Sequence, residues 1–227
     1  MKEMYVNFLL HALKIYSPSK NENEFSDFLI NYMETNLGFK KIQKDSVGNV
    51  ITDIGGGDPV VLLCGHMDTV PASSAKWQSN PWTLTEREGK YYARGSCDMK
   101  GFVSIALQAM HEAVVERGCL AVLLACDEEL GSFGAKYILQ EGLPVTIPKQ
   151  VIIGEPTSLQ VVRLHKGHLS MSVTIEGVSA HTGFPHLGKN AAVEGGKIIC
   201  SIAELSKRYE ELRTQTSEHF PEVAKFP

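Results

Sequence analysis

The start of the chain carries apolar side chains at the spacing of an α-helix. One face of a first predicted helix is formed by Val6, Leu9, Leu10 and Leu13. Ser17-Pro18-Ser19 interrupts this pattern. The apolar face of a second predicted helix is formed by Phe25, Phe28, Leu29, Tyr32 and Met33. Asn21 and Glu24 have the spacing of a capping box at its start, and Gly38 provides its end.

Apolar runs of strand length then alternate with helical segments. Strands are predicted at residues 49–54, 60–64, 90–93, 120–125 and 151–153, and helices at 102–115 and 134–139. The runs at 120–125 and 151–153 are continuously apolar, which is typical of strands buried on both faces. Because a strand follows the glycines at 55–57, we interpret them as a hairpin turn and not as a phosphate loop. The alternation predicts an α/β fold with a mixed, mostly parallel sheet flanked by helices.

The pattern changes near Gly167. Leu169, Met171, Val173 and Ile175 alternate with polar residues, which predicts a strand with one solvent-exposed face, and a helix is predicted from about 190 to 212. We interpret residues 1–167 as one α/β domain and residues 168–227 as the start of a second, α+β domain. One strand and one helix cannot form a stable sheet of their own, so we expect the second domain to be incomplete.

Composition and charge exclude several classes of protein. The chain is 43% hydrophobic and 21% charged, which is typical of a globular protein, and its net charge of −4 does not favour binding to nucleic acid or to an anionic membrane. No apolar stretch is long enough to span a bilayer, and His11 and Lys14 interrupt the first helix in a way that signal peptides do not. The five cysteines form no CxxC pair, so we expect free thiols and a cytoplasmic location.

Polar residues suited to chemistry follow the ends of the predicted buried strands. His66 and Asp68 come after the strand at 60–64, and in an extended segment their side chains point the same way. Asp98 precedes the helix at 102–115. Asp127-Glu128-Glu129 and Glu155 directly follow the next two apolar strands. Because open α/β sheets bind ligands at the carboxyl ends of their strands, we expect these groups to converge at one edge of the sheet.

Each cluster also has a purely structural interpretation. His66 and Asp68 could lie at an ordinary surface strand end, Asp98 could cap the following helix, and the three consecutive acids could form a first helical turn. Adjacent acids raise one another's pKa unless a cation neutralises them, however, and a helix terminus does not require three of them. Histidine and carboxylates without a cysteine pair suit zinc, cobalt or manganese in a catalytic site, with Asp68 either orienting His66 or binding the metal. A nucleophilic enzyme is disfavoured because there is no Gly-x-Ser-x-Gly and because Cys97 lies beside acids, an environment unfavourable to a thiolate.

Five ordered motifs resemble those of a known family. They are Gly65–Pro71 (GHMDTVP), Gly95–Gly101 (GSCDMKG), Asp127–Gly131 (DEELG), Gly154–Thr157 (GEPT) and Ala180–Pro185 (AHTGFP). In this order they resemble the M20 family of dinuclear zinc amidohydrolases, and the resemblance covers nearly the whole chain. It implies that residues 1–167 form a zinc-exopeptidase-like, metal-binding catalytic domain that lacks its C-terminal segment. Residues 168–227 would then begin a lid or dimerisation domain.

The resemblance implies a site for two zinc ions in each complete subunit, with cobalt as an alternative. Asp98 would bridge the two metals, His66 and Glu155 would complete one metal site, and Glu129 would serve the other. Asp68 would orient His66. Family members supply a final histidine ligand from a later segment, and His219 lies in a segment unlike that motif. We therefore expect the second metal site to be incomplete.

The resemblance also implies roles in catalysis. Glu128 would be the general base that deprotonates the attacking water and passes the proton to the leaving amine. His181 would reach from the partner subunit of a homodimer, formed through the lid domain, to stabilise the oxyanion.

The implied reaction is hydrolysis of an N-acyl amino acid. Two stretches, residues 77–90 and 154–167, favour N-acetyl-L-ornithine as the substrate, cleaved to L-ornithine and acetate in arginine biosynthesis. Alternatives are a related deacylase or desuccinylase, a peptidase of the same superfamily, and a non-catalytic protein that keeps the scaffold. The intact acids of Asp127-Glu128-Glu129 disfavour the non-catalytic alternative.

Overall fold

A computed structural model describes residues 2–73, 76–142, 146–162, 167 and 169–219. The chain divides into two compact units, Met1–Leu159 and Gln160–Pro227. The domain boundary that the sequence predicts, after Gly167, lies close to this division and stays a prediction.

The first unit contains seven strands and four helices among its described residues. In chain order they are α1 (Lys2–Ala12), α2 (Asn23–Thr35), β1 (Lys41–Lys44), β2 (Val50–Gly56), β3 (Pro59–His66), β4 (Thr85–Arg87), β5 (Lys90–Tyr92), α3 (Lys100–Glu112), β6 (Gly118–Ala125), α4 (Phe133–Glu141) and β7 (Gln150–Ile153). β1 and β4 were not predicted. Both are short and largely polar, so they lack the apolar pattern on which a strand prediction depends.

The main sheet has five strands in the order β1-β2-β6-β3-β7. β6 pairs antiparallel with β2 and parallel with β3, and β3 pairs parallel with β7. The predicted mixed sheet with flanking helices is thus confirmed. Because β3, β6 and β7 run in the same direction, their carboxyl ends lie at one edge of the sheet.

β6 lies at the centre of the sheet and is covered on both faces. Val122 and Leu124 belong to a large apolar cluster with α1, α2 and α3, whereas Ala121 and Leu123 belong to a second cluster with Ile138 of α4. This alternation follows from the two-residue period of a strand. The prediction of a strand buried on both faces is correct for β6.

The same prediction is wrong for β7. Val151, Ile152 and Ile153 are 43%, 54% and 63% exposed. β7 is the edge strand next to β3, and the two apolar clusters extend across the sheet only as far as β3.

The glycine-rich segment at residues 55–57 does not form a β-hairpin. Gly55 and Gly56 end β2, a bend at Gly57 and Asp58 leads to β3, and β6 lies between these two strands. Gly55 has φ +101°, and a Cβ on it would lie 2.7 Å from the Gly118 carbonyl oxygen, so both conformation and space require glycine here. A sequence pattern of strand, turn and strand cannot reveal that a distant strand will insert between the two.

Two details of the N-terminal helices also differ from the prediction. The buried face of α1 includes Phe8, Leu9 and Leu13, whereas Leu10 is 39% exposed. The predicted capping box at the start of α2 is not formed, because the N-cap residue is Glu22, which makes no side-chain capping bond. The Glu22 carboxylate instead accepts a hydrogen bond from the Asp127 amide in the loop after β6.

The second unit is described by its own elements. Asn190 caps α5 (Ala191–His219), its Oδ1 accepting from the Ala192 amide at 2.9 Å, and residues Pro185–Leu187 form a 3-10 turn. Val178 and Lys189 form an isolated antiparallel bridge. The strand predicted at 169–175 is not formed, since no other segment of this unit's described residues pairs with it. Ile199 and Ile202 on the predicted apolar face of α5 are 68% and 53% exposed.

None of the helices in the described ranges combines the length and apolarity needed to cross a membrane. All five cysteines are free, and Cys97 and Cys200 are exposed.

Candidate active site

The polar residues that follow the three parallel strands meet at one edge of the sheet. His66 is the last residue of β3, Glu128 and Glu129 follow β6, and Glu155 follows β7. Asp98 lies just before α3 and completes the group. The structure therefore brings together the residues that the sequence predicted to converge.

The His66 imidazole lies at the centre of this group. Its Nε2 is 3.0 Å from Asp98 Oδ1, 3.9 Å from Glu155 Oε1 and 4.0 Å from Glu128 Oε2. His66, Asp98 and Glu129 each offer one donor atom, and these three atoms lie within 4.8 Å of one another. Such a cluster has the size and the ligand types of a site for a divalent metal.

The site is buried on one side and open on the other. The His66 side chain is 2% exposed, whereas the side chains of Asp98, Glu128 and Glu155 are 41%, 40% and 41% exposed. The carboxylates can therefore reach a molecule from solvent while the imidazole stays fixed.

Burial and the closeness of the other acids raise the pKa of two of these carboxyl groups. Burial raises the pKa of Glu129, and the negative charges of Asp98 and Glu128 raise it further. Burial likewise raises the pKa of Glu155, although the positive charge of His66 opposes this. A cation at this position would relieve the repulsion that both carboxyls experience.

The protonation of His66 responds to the same acids. Burial by itself would lower the pKa of His66, but hydrogen bonds to Asp68 and Asp98, together with their charges, raise it to about 10. Without a bound metal, the imidazole at neutral pH therefore carries a proton on both nitrogens. It must lose one of these protons to bind a metal ion.

Asp68 lies beneath the site and is completely buried. The His66 Nδ1 is 2.9 Å from the Asp68 main-chain oxygen and 3.4 Å from its Oδ1, so the backbone also contributes to orienting the ring. The Asp68 carboxylate accepts hydrogen bonds from the hydroxyl of Ser19 at 2.7 Å and from the amides of Glu128 and Glu129, each at 3.0 Å. Burial alone would raise the pKa of Asp68, but the bonds from His66, Ser19 and the two amides lower it overall. The lowered pKa favours the ionised form of Asp68. This carboxylate links Ser19 to the turn that carries Glu128 and Glu129.

Two structural interpretations of the sequence are wrong. Asp98 does not cap α3, because the N-cap residue is Met99 and no side chain makes a capping bond there. The three acids do not form a first helical turn, because α4 begins later, at Phe133, with no acidic residue in its first turn.

His181 belongs to the second unit. Its Nδ1 accepts a hydrogen bond from the Gly183 amide at 3.0 Å, and its ring lies 6.0 Å from that of Phe184. Its expected role at an oxyanion stays a prediction.

Sequence reasoning missed two residues that contact the site, Ser19 and Glu22. Ser19 binds Asp68, as described above, and Glu22 Oε1 accepts the Asp127 amide at 2.7 Å. Both lie in the connection between α1 and α2, where neither hydrophobic period nor motif spacing marks them. Glu22 stands between Asn21 and Glu24, the residues of the capping box that is not formed.

Known proteins resemble this chain in sequence. The sequence model of peptidase family M20/M25/M40 matches residues 62–224. The acetylornithine deacetylase of Proteus mirabilis (strain HI4320) is 40% identical over 196 residues, which is 83% of this chain and 49% of that protein. The chain thus spans about half of the length of this curated relative.

Solved structures show a similar fold. A metallo-carboxypeptidase of the M20 family from Sulfolobus solfataricus matches with a TM-score of 0.59 and 24% identity, over 66% of this chain and 37% of that one. A tripeptidase from Staphylococcus aureus matches with a TM-score of 0.56 and 19% identity, over 88% of this chain and 56% of that one.

Proposed function

Because the chain belongs to peptidase family M20/M25/M40, we propose that it forms the metal-binding part of an amidohydrolase that cleaves N-acyl amino acids. The observation that carries this proposal is the convergence of His66, Asp98 and Glu129 on one edge of the sheet, with their donor atoms within 4.8 Å of one another. The proposed substrate is N-acetyl-L-ornithine, which yields L-ornithine and acetate in arginine biosynthesis in the cytoplasm. Support comes from the 40% identity to a protein named for that reaction.

The donor set fits zinc or cobalt. Asp98 would be shared by two ions, His66 and Glu155 would complete one site, and Glu129 would serve the other. Imidazole and carboxylate ligands without a thiolate suit a catalytic site of this kind. The raised pKa values of Glu129 and Glu155 support the assignment, because a cation would stabilise the charged carboxylates against both burial and the neighbouring negative charges.

Metal bound at this site would polarise the amide carbonyl and lower the pKa of the attacking water. Glu128 would accept the proton of that water and transfer it to the leaving nitrogen as the C–N bond breaks. Its carboxylate lies 4.0 Å from the His66 ring and is 40% exposed, so it borders the donor group and faces the solvent side. Asp68 would hold His66 in place.

The second unit would contribute the remaining groups. We assign His181 of a partner subunit to the oxyanion, in a homodimer formed through this unit. The ligands assigned above all lie in the first unit, so the second unit would be needed for turnover and not for binding metal at these residues.

Metal content and product release test the proposal. The chain, equilibrated with Zn²⁺ and desalted, is expected to retain metal by elemental analysis, and Asp98→Asn is expected to lose it. The matched control is Asp27→Asn, which removes the charge of an exposed aspartate paired with Lys44. No retained metal in the unaltered chain would contradict the metal centre. If amino acids are released from dipeptides but no acetate is released from N-acetyl-L-ornithine, the proposed deacetylase activity is wrong and a peptidase activity takes its place.

A further inference from the structure

We propose that Glu22 is a positioning residue that fixes the turn carrying Glu128 and Glu129, and that it acts through the main chain of Asp127. This inference rests on the proposed metal centre, because Glu129 is one of its ligands and Glu128 its general base. Glu22 precedes α2, and more than a hundred residues of chain separate it from the turn that it contacts.

Three consecutive amides of the turn donate to two buried carboxylates. The Asp127 amide donates to Glu22 at 2.7 Å, and the amides of Glu128 and Glu129 donate to the two oxygens of Asp68 at 3.0 Å each. With all three N–H groups held, the directions in which the Glu128 and Glu129 side chains leave the backbone are fixed. Asp68 holds two of the three, and Glu22 holds the remaining one.

The backbone at Asp127 needs such support. Its φ is +53°, which lies in the left-handed region that most residues with a Cβ avoid and that aspartate tolerates better than most. A conformation of this kind persists where the surroundings enforce it, and the Glu22 carboxylate is directly bonded to the amide of the residue concerned.

The bond to Asp127 accounts for the burial of the Glu22 carboxylate. Glu22 is 6% exposed, and a carboxylate is costly to bury unless hydrogen bonds compensate. It occupies the N-cap of α2 without capping that helix. Its carboxylate is directed to the Asp127 amide instead.

The rest of the connection between α1 and α2 is fastened to the same two loops. We call residues Ser17–Glu22 the strap. The Lys20 amide donates to Asp127 Oδ1 at 2.6 Å, and the Ser17 hydroxyl donates to the Met67 carbonyl at 3.0 Å. The Thr69 amide in turn donates to the Ser17 carbonyl at 2.9 Å. The strap therefore joins the loop after β3 to the loop after β6, and Lys20 and Glu22 are its contacts with Asp127, the residue before the proposed base.

Loss of the Glu22 carboxylate would free the Asp127 amide and let the turn relax. The expected consequence is weaker metal binding at the site served by Glu129, since residues that orient metal ligands typically change affinity by about 10- to 100-fold. The electronic environment of the bound ion should change with it.

Co²⁺ titration followed by visible absorption tests the inference on the chain. Glu22→Ala is expected to weaken Co²⁺ binding by about 10- to 100-fold and to alter the absorption bands of the bound ion. Glu22→Gln keeps an oxygen that can accept the Asp127 amide, and it is expected to restore both the affinity and the spectrum. The matched control is Glu24→Ala, which removes an exposed carboxylate two positions along the same helix and should behave like the unaltered chain.

The outcomes separate this inference from the metal centre itself. If the unaltered chain binds no Co²⁺, the metal centre and this inference both fall. If the unaltered chain binds and Glu22→Ala binds equally well with the same spectrum, this inference alone is overturned. Should circular dichroism show that Glu22→Ala is unfolded, Glu22→Asp decides the question. Its carboxylate is one methylene too short to reach the Asp127 amide, so unchanged affinity and spectrum in that variant would overturn the inference.

Discussion

Glu128 and Glu129 are neighbours in sequence with different positions in the site. Glu129 offers a donor atom to the group with His66 and Asp98, whereas Glu128 borders that group with its carboxylate. The difference follows from the backbone, because Asp68 holds both amides and the two side chains leave the turn in different directions. A sequence of three acids does not reveal that the side chains of Glu128 and Glu129 take different positions. Here that difference comes from the fold.

Glu128→Gln tests the role of the base. The amide cannot accept the proton of the attacking water, so acetate release from N-acetyl-L-ornithine should fall by about 10²- to 10⁴-fold. Metal content should stay unchanged, because the proposed ligands remain. Glu141→Gln, an exposed glutamate at the end of α4, is the control. Full activity in Glu128→Gln would exclude Glu128 as the base.

At the level of helices and loops, buried contacts between these elements set the position of the site. Lys100, in the first turn of α3, is 2% exposed. Its Nζ donates to the carbonyls of Ala12 and Ile15 at 2.9 and 2.8 Å and lies 4.0 Å from the centre of the Phe25 ring. Lys100 thereby joins the end of α1 and the side of α2 to the segment that carries Asp98. A neutral amine has two N–H groups, which is the number needed for these two carbonyls.

Lys100→Met tests this connection through the pH dependence of stability. Burial lowers the pKa of Lys100 to about 7, although Glu24 opposes the shift. An unfolded lysine titrates near pH 10.4, so between these values the unfolded chain binds more protons, and this residue makes the free energy of unfolding rise with pH. Chemical denaturation at pH 7 and pH 10 should show that rise in the unaltered chain and less of it in Lys100→Met. Lys90→Met, at an exposed lysine of β5, should keep the rise. Equal pH dependence in all three proteins would contradict the shift.

Much of the element order could be predicted from hydrophobic period alone. The runs at 60–64 and 120–125 correspond to β3 and β6, and the pattern at 102–115 corresponds to α3. The insertion of β6 between β2 and β3, where a hairpin was predicted, and the exposure of β7, predicted as buried, could not be read from the sequence, because both depend on which strands become neighbours. Likewise, motif position identified the residues that gather around His66, whereas Ser19 and Glu22 act through single hydrogen bonds across the sheet edge and have no sequence signal of their own.

The whole molecule should gain stability from metal. An ion that binds only the folded chain raises the free energy of unfolding by about 2.7 kcal/mol when its free concentration is 100 times Kd. Thermal unfolding followed by circular dichroism should therefore show a higher Tm with Zn²⁺ than with EDTA. Asp98→Asn should show little difference between the two conditions, and Asp27→Asn should respond as the unaltered chain does. An identical Tm with and without Zn²⁺ in the unaltered chain would contradict a metal centre that forms only on folding.

The outer side of β7 has a practical consequence for handling the protein. This strand pairs with β3 on one side, and its apolar residues are exposed. The backbone N–H and C=O groups of such an edge strand can pair with a strand of another molecule, and exposed apolar side chains favour this association. Concentrated solutions are therefore expected to form fibril-like aggregates. Val151→Lys should reduce this aggregation, because it places a charge in the exposed apolar strand.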